Sequence, residues 1–193
     1  MADGSEQVPP KPPVPPPAAP AKPRMDPVEE MLRRPVESAA LDALREQLPD
    51  AVLETSFYAR EVTARVPKDR IVEVLGFLRI DPRTAFDLLT DLTAVDWPAR
   101  PERFEIVYHL YSIPRNHRLR LKVWAAEGEA VPSATSLYHS AEWHEREVFD
   151  MFGVSFTGHP DLRRILLPDE WRGHPLRKEY PLEGFPDQHM RLR

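Results

Sequence analysis

The stretch "RFEIVYHLYSIPRNHRLRLKVW", Arg103 to Trp124, indicates the fold most clearly. Every second residue is apolar in each half, as expected of two strands that bury one face. The connection "IPRNH" contains the proline and asparagine that turns favour, so we predict a β-hairpin. The second strand then turns a different set of side chains to its other face: Arg118, Arg120, Lys122 and Trp124. That face is either a solvated surface protected by charge or a docking surface.

Helices and further strands are predicted on the N-terminal side of the hairpin. Ser38 is placed to cap a helix, "EVTARV" alternates as a strand does, and Pro67 is placed to open a second helix. Asp81 is predicted to cap a third helix carrying Phe86 and Leu89, followed by a short strand, "LTAVDW". Together these elements predict an α+β domain with a mixed, largely antiparallel sheet, covered by helices on one side.

The chain divides into three predicted regions. Residues 1–35, rich in proline and alanine, are expected to form a disordered extension, because they hold too few large apolar side chains to compensate for ordering. Residues 36–158 are expected to form the α+β core domain. Residues 159–193 are expected to form an extended strap that binds a partner, because recurrent prolines prevent long regular structure.

Composition excludes several classes of protein. The formal charge of −5 argues against nucleic-acid binding, and the absence of cysteine excludes thiolate zinc sites and cysteine-ligated iron–sulfur clusters. No glycine-rich nucleotide motif and no apolar run of about 20 residues is present. We therefore expect no cofactor in this chain and no membrane-spanning helix.

The segment "HEREVFDMFG", His144 to Gly153, is the most charged part of a helix predicted over 136–152, with Gly153 just past its end. On a helical wheel, Glu145 falls inside the apolar arc. A carboxylate there is either a catalytic acid with a raised pKa or a structural clamp. The clamp, which we favour, would accept hydrogen bonds from Arg163, Arg164 or backbone amides downstream.

The remaining charges of this helix have plainer interpretations. Glu142, Arg146 and Asp150 are spaced four apart and are predicted to be ordinary surface electrostatics. A zinc-protease helix needs His-Glu-x-x-His, but Val148 stands where the second histidine should be. We therefore predict no metal site and no catalytic residue. A free-standing metal-dependent hydrolase using His144, Glu145 and neighbouring carboxylates is the weaker alternative.

The segment "GHPDLRRILLPDEWRGHPLRKEYPL", residues 158–182, alternates apolar side chains with prolines and basic residues. Its first half is predicted to fold back on its own domain and its second half to lie on another protein, because Trp, Tyr and Arg are frequent at interface hot spots. The predicted interface residues are Leu167, Trp171, His174, Leu176, Arg177, Tyr180 and Leu182.

The stretch "EREVFDMFGVSFTGHPDLRRILLPDEWRGHPLRKEYPL" closely resembles the thirty-kilodalton subunit family of respiratory NADH:quinone oxidoreductase, complex I, which is the C subunit of the bacterial enzyme. The matching signature and clamp residues are Glu145, Arg146, Glu147, Asp150, Met151, Phe152, His159 and Arg163. Upstream, "FDLLTDLTAVDWP" and the hairpin strands look like the same family, so the resemblance spans roughly Leu48 to Leu182.

This resemblance implies a non-catalytic subunit of the hydrophilic arm, on the cytoplasmic side of the bacterial inner membrane. The implied partners are the D subunit, a homologue of hydrogenase large subunits, and the Fe-S subunits B and I. FMN and Fe-S clusters would belong to partner subunits, and membrane contact would come only through the complex. Electron transfer from NADH to a quinone such as ubiquinone, and proton transport, would belong to the assembly. A close variant is the same subunit in a related complex with ferredoxin, deazaflavin or formate as donor, since the donor-binding subunits lie outside this chain.

Overall fold

A computed structural model describes residues 38–185. The extension predicted for residues 1–35 and the last part of the predicted strap, residues 186–193, lie outside the described residues. The helices and longer strands are α1 (Ala39–Gln47), β1 (Glu54–Tyr58), β2 (Glu61–Arg65), α2 (Ile71–Ile80), β3 (Leu88–Asp96), β4 (Phe104–Ser112), β5 (His117–Ala125) and α3 (Ala141–Phe152). Two short strands, β6 (Ala130–Pro132) and β7 (Ser155–Thr157), flank α3 in the chain.

Five strands form one sheet in the order β1-β2-β5-β4-β3. Neighbouring strands run antiparallel except for β2 and β5, which are parallel, and β6 and β7 form a separate parallel pair. The mixed, largely antiparallel sheet predicted from the sequence is confirmed. The hairpin is confirmed as well: β4 and β5 pair continuously from Phe104 opposite Ala125 to Ser112 opposite His117.

The core lies between one face of the sheet and the helices. Alternate residues of the hairpin are buried, as the pattern predicted, with Tyr108 and Leu121 fully enclosed opposite each other. Leu41 and Leu44 of α1, Leu75 and Leu78 of α2 and Val148 of α3 complete this cluster of buried residues. Removing this apolar surface from water is the main driving force for the fold.

The third helix predicted at Asp81 is wrong. The chain turns there, and the backbone N–H of Arg83 donates to the Asp81 side chain at 2.8 Å. Asp, whose side chain competes for backbone N–H groups, favours such turns. Ala85 then adopts a positive φ of 44°, Phe86 enters the core, and Leu89 belongs to strand β3.

Three other boundaries differ from the sequence prediction. Ser38 precedes α1 but its side chain makes no capping hydrogen bond. Strand β3 extends beyond "LTAVDW", from Leu88 to Asp96. The helix predicted from residue 136 begins at Ala141, because the preceding residues form turns.

Candidate partner-binding site

The turn after α3 is where the tail, residues 158–185 of the described chain, packs against the domain. Gly153 ends the helix with a φ of +75°, as predicted for a left-handed helix end. A Cβ atom at this position would come within 2.6 Å of the His174 ring and 2.8 Å of Arg177 Nη2. Glycine is therefore required both by the backbone conformation and by the close approach of the tail.

Glu145 is fully buried, as predicted, but its partners lie upstream of the helix. Its carboxylate accepts hydrogen bonds from the Ser133 hydroxyl at 2.7 Å and the Ala134 backbone N–H at 2.7 Å. Burial raises the pKa of Glu145 and these two bonds partly oppose the shift. The predicted partners Arg163 and Arg164 are wrong: Arg163 is exposed and pairs with Asp161, while Arg164 pairs with a different carboxylate.

Asp150 is that carboxylate, and it holds the tail directly. It accepts the backbone N–H groups of Ile165 at 3.1 Å, Leu166 at 2.9 Å and Leu167 at 2.9 Å, and the Arg164 guanidinium at 2.6 Å. Burial would raise the pKa of Asp150, but these donors outweigh it and lower the pKa below its usual value.

Two further side chains of the predicted signature fasten α3 to the tail backbone. Arg146 donates from Nε to the Arg163 carbonyl at 3.2 Å and from Nη2 to the Arg164 carbonyl at 3.1 Å. His159 accepts the Asp161 N–H on Nδ1, which leaves Nε2 to donate to the helix carbonyl of Glu142 at 3.0 Å. Both side chains therefore serve structure.

The interpretation of Glu142, Arg146 and Asp150 as ordinary surface electrostatics is wrong. Arg146 and Asp150 are buried, because the tail covers this face of the helix. Glu147, which the signature also includes, is exposed, and its side chain makes no hydrogen bond or ion pair within residues 38–185.

A second buried aspartate, Asp96, anchors the tail farther along. It accepts the backbone N–H of Lys178 at 2.8 Å and two hydrogen bonds from Arg103, at 2.7 and 2.9 Å. The hydrogen bonds from Arg103 contribute most to lowering the pKa of Asp96. Arg103 also pairs with Glu179 of the tail. Sequence reasoning missed this anchor, although an acidic residue at the end of an apolar strand pattern was a signal for it.

Between the two aspartates, the tail follows the helix end closely. The Leu176 N–H donates to the Met151 carbonyl at 3.1 Å, and His174 Nδ1 donates to the Asp150 carbonyl at 2.9 Å. Burial lowers the pKa of His174 below its usual value. Arg177 Nε donates to the Phe152 carbonyl at 2.6 Å. The predicted interface residues His174 and Arg177 are thus engaged within the chain.

The amide of Leu176 is held by Met151 through the backbone, so the Leu176 side chain is free to face outward. Three leucines of the tail are exposed: Leu166 and Leu176 show 61% and 51% of their surface to solvent, and Leu182 is fully exposed. Leu167, Trp171 and Tyr180 are half-buried. The tail thus folds back on its own domain over both predicted halves, and it leaves the large apolar side chains of Leu166, Leu176 and Leu182 uncovered.

The charged side chains of α3 make structural hydrogen bonds and are not grouped as a metal site would require. Among residues 38–185, no three His, Asp or Glu side chains are grouped so that they could hold a metal ion together. Within the same residues, no helix has the length and apolar character needed to cross a bilayer. Glu145 bonds to a neighbouring loop, and Arg146 and Asp150 bond to the tail, so these charges fix backbone segments to one another.

The sequence matches the family model described as "Respiratory-chain NADH dehydrogenase, 30 Kd subunit" over residues 64–186. The chain is 50% identical over 142 residues to the C subunit of NADH-quinone oxidoreductase from Cereibacter sphaeroides, covering 74% of this chain and 71% of the relative. It is 49% identical over 150 residues to the protein of the same name from Citrifermentans bemidjiense, covering 77% of this chain and 91% of the relative.

Two solved structures are similar to the fold. The trypsin-resistant fragment (1-134) of Nqo5 has a TM-score of 0.54 and 28% identity, covering 65% of this chain and 100% of the fragment. A chain from the membrane-bound sulfane sulfur reductase, an archaeal respiratory membrane complex, has a TM-score of 0.62 and 28% identity. That match covers 74% of this chain and 84% of the archaeal chain.

Proposed function

The chain belongs to the family of the 30-kDa subunit of respiratory-chain NADH dehydrogenase, and on this premise we propose that it is a non-catalytic structural component of the complex's hydrophilic arm. In this proposal, partner subunits carry FMN and the Fe-S clusters and transfer electrons from NADH to quinone. The complex couples that transfer to proton transport. This chain binds at the cytoplasmic side of the membrane through the complex.

One observation carries the proposal: two buried charged side chains of α3, Arg146 and Asp150, are engaged in hydrogen bonds that fix the tail. The Asp150 carboxylate accepts four hydrogen bonds, from the Arg164 guanidinium and from the backbone N–H groups of Ile165, Leu166 and Leu167. Arg146 donates hydrogen bonds to two backbone carbonyls of the tail. A group that must bind or protonate a substrate needs access to it. Asp150 has a fully buried side chain, so its role is to hold shape.

The tail is the proposed partner-binding region, residues 159–193, attached to a core domain of residues 36–158. Its backbone is held by Asp150 and Asp96, while Leu166, Leu176 and Leu182 face outward. Fixing the backbone before binding lowers the ordering cost of association. We propose that this face binds the D subunit and the Fe-S subunits B and I.

The experiment is a comparison of affinity-tagged chains recovered from native membranes. The variant Leu166→Ser/Leu176→Ser/Leu182→Ser removes the three exposed leucine side chains and leaves Asp150 and Asp96, which hold the tail backbone, unchanged. We expect the isolated variant to unfold at the wild-type denaturant concentration but to recover at least tenfold less of the B, D and I subunits. Wild-type recovery of all three would contradict the partner-binding role of the tail.

A second candidate is the same structural role in a related complex with another electron donor, such as ferredoxin, deazaflavin or formate. The likeness to a chain of an archaeal sulfane sulfur reductase complex favours this candidate, because the fold also occurs in that different respiratory complex. The subunits recovered with the tagged chain distinguish the two. A flavin-containing NADH-oxidising subunit among them supports the first, and its absence from an otherwise complete assembly supports the second.

A further inference from the structure

The outer face of the sheet carries a groove whose lining residues all precede α3 and the tail in the sequence. Two cavities of about 320 and 200 Å³ share two lining residues, Arg65 and Trp124. Leu53, which is 54% exposed, adds apolar surface to the larger cavity. We call this feature, defined by Leu53, Arg65 and Trp124, the Arg65 groove.

Arg65 differs from the basic side chains around it. Those side chains have partners: Lys68 with Glu129 at 2.9 Å, Lys122 with Glu105 at 2.9 Å, Arg120 with Glu61, and Arg100 over the Trp124 ring at 4.5 Å. The Arg65 side chain has no ion pair or hydrogen bond to any residue of 38–185, and its Nε is buried without an acceptor. A buried donor left without an acceptor is unfavourable.

The carboxylate that faces Arg65 from the neighbouring strand does not supply an acceptor. Glu54 stands opposite Arg65 in the β1–β2 register, and both residues line the smaller cavity. No ion pair forms between them, so the guanidinium remains available to a carboxylate from outside residues 38–185. Arginine suits such a contact because its planar fork can donate two parallel hydrogen bonds to one carboxylate.

We propose that the Arg65 groove docks a segment of another subunit that presents an Asp or Glu side chain to Arg65 and apolar surface to Trp124. This inference rests on the proposed function, since it requires the chain to be part of an assembly. It adds an interface on the outer sheet face, separate from the tail. Charge complementarity identifies the occupant: within residues 38–185 the Arg65 guanidinium has no partner, and it lies beside an exposed leucine and an indole ring.

The absence of cysteine in the sequence makes a direct test possible. Glu102 is exposed and lines the larger cavity, so Glu102→Cys places a single thiol at the groove for a photoactivated benzophenone label. The labelled, tagged chain is assembled into the complex in its native host and irradiated, and the cross-linked peptides are sequenced. We expect a cross-link to a peptide of another subunit that contains Asp or Glu.

Variants at Arg65 and at a control position test whether Arg65 binds the cross-linked segment. In the labelled background, Arg65→Gln should lower the cross-link yield at least fivefold, and Arg65→Lys, which keeps the charge but loses the planar fork, should give an intermediate yield. Arg60→Gln, on the same β1–β2 hairpin, lines neither cavity and should leave the yield unchanged.

Several results would overturn the proposal. Cross-links confined to this chain, a peptide without an acidic residue, or an equal yield with Arg65→Gln would each do so. If subunits co-purify but no cross-link to them forms at Glu102→Cys, this proposal fails and the proposed function stands. If no subunit co-purifies with the wild-type chain, both fail.

Discussion

The carboxylate of Asp150 receives the backbone N–H of Leu167 at 2.9 Å, which joins the last turn of α3 to the proline-rich tail. The same oxygen receives the N–H groups of Ile165 and Leu166, and Asp96 receives that of Lys178. Two buried aspartates therefore set the path of the tail. The exposed leucines between and beyond them owe their position to these bonds.

Replacing Asp150 with Ala should destabilise the fold by about 3–5 kcal/mol, the usual cost of breaking a buried ion pair from one side. Chemical denaturation of the isolated chain measures the loss. Glu147→Ala, an exposed neighbour on the same helix, is the control and should change stability by less than about 0.5 kcal/mol. Similar losses in the two variants would mean that Asp150 does not hold the tail.

Replacing Gly153 with Ala should cost more than the same change at Gly128. Both glycines have a positive φ, +75° and +80°, so each alanine bears the backbone strain of about 1–2 kcal/mol. At Gly153 the new methyl group also meets His174 and Arg177, whereas at Gly128 no described residue beyond the adjacent ones has an atom within 4 Å of it. The difference between the two thermal or denaturant midpoints isolates the tail contact. Equal losses would show that the tail does not press against this turn.

Replacing Glu145 with Ala should leave the Ala134 N–H without an acceptor, at about 1–3 kcal/mol. The Ser133 hydroxyl would lose its buried acceptor and keep only Thr135 Oγ1, at 2.8 Å. Glu145→Gln keeps the shape and one acceptor oxygen, so its loss should be smaller. Denaturation of the two variants at pH 7 makes the comparison. A Gln variant as unstable as the Ala variant would indicate that the charge itself is needed.

The stability of the chain should fall in acid through Asp96 and Asp150. Both have a pKa lowered in the folded state, so their contribution is fully present above the unfolded value of about 3.9 and is lost as pH falls through the lowered folded values. Glu145 acts in the opposite sense, because its raised pKa favours the fold most when the carboxyl is protonated.

Denaturation of wild type and Asp96→Asn/Asp150→Asn between about pH 2 and 7 tests this expectation. The double variant should be less stable at pH 7 and should lose less stability on acidification than wild type. Parallel curves for the two proteins would contradict the assignment of the acid-labile bonds to these carboxylates.

The sequence was sufficient for features that depend on local periodicity. The β4–β5 hairpin and the end of α3 at Gly153 follow from alternation and from glycine's backbone freedom, and the structure contains both. The prediction of a third helix was wrong because the turn at Asp81 depends on a side-chain hydrogen bond and on the burial of Phe86. Hydrophobic periodicity carries no information about either.

The candidate site was predictable in part. A helical wheel identifies Glu145 as buried, since it shares the apolar face, but it does not identify Ser133 as the partner. The helical wheel wrongly predicted that Arg146 and Asp150 are exposed, because the tail covers their face of the helix. Residues that bond across long sequence separations, such as Asp96 and Lys178, leave no periodic signal.

In the proposed function, this chain supplies binding surfaces held in place by buried hydrogen bonds, and the reaction takes place in the partner subunits. The most direct test is the NADH:quinone reductase rate per assembled complex, with assembly quantified separately, for Glu145→Gln, Asp150→Asn and His159→Gln. We predict that activity falls only in proportion to the amount of complex assembled. A variant that assembles fully and yet loses turnover selectively would contradict the non-catalytic role.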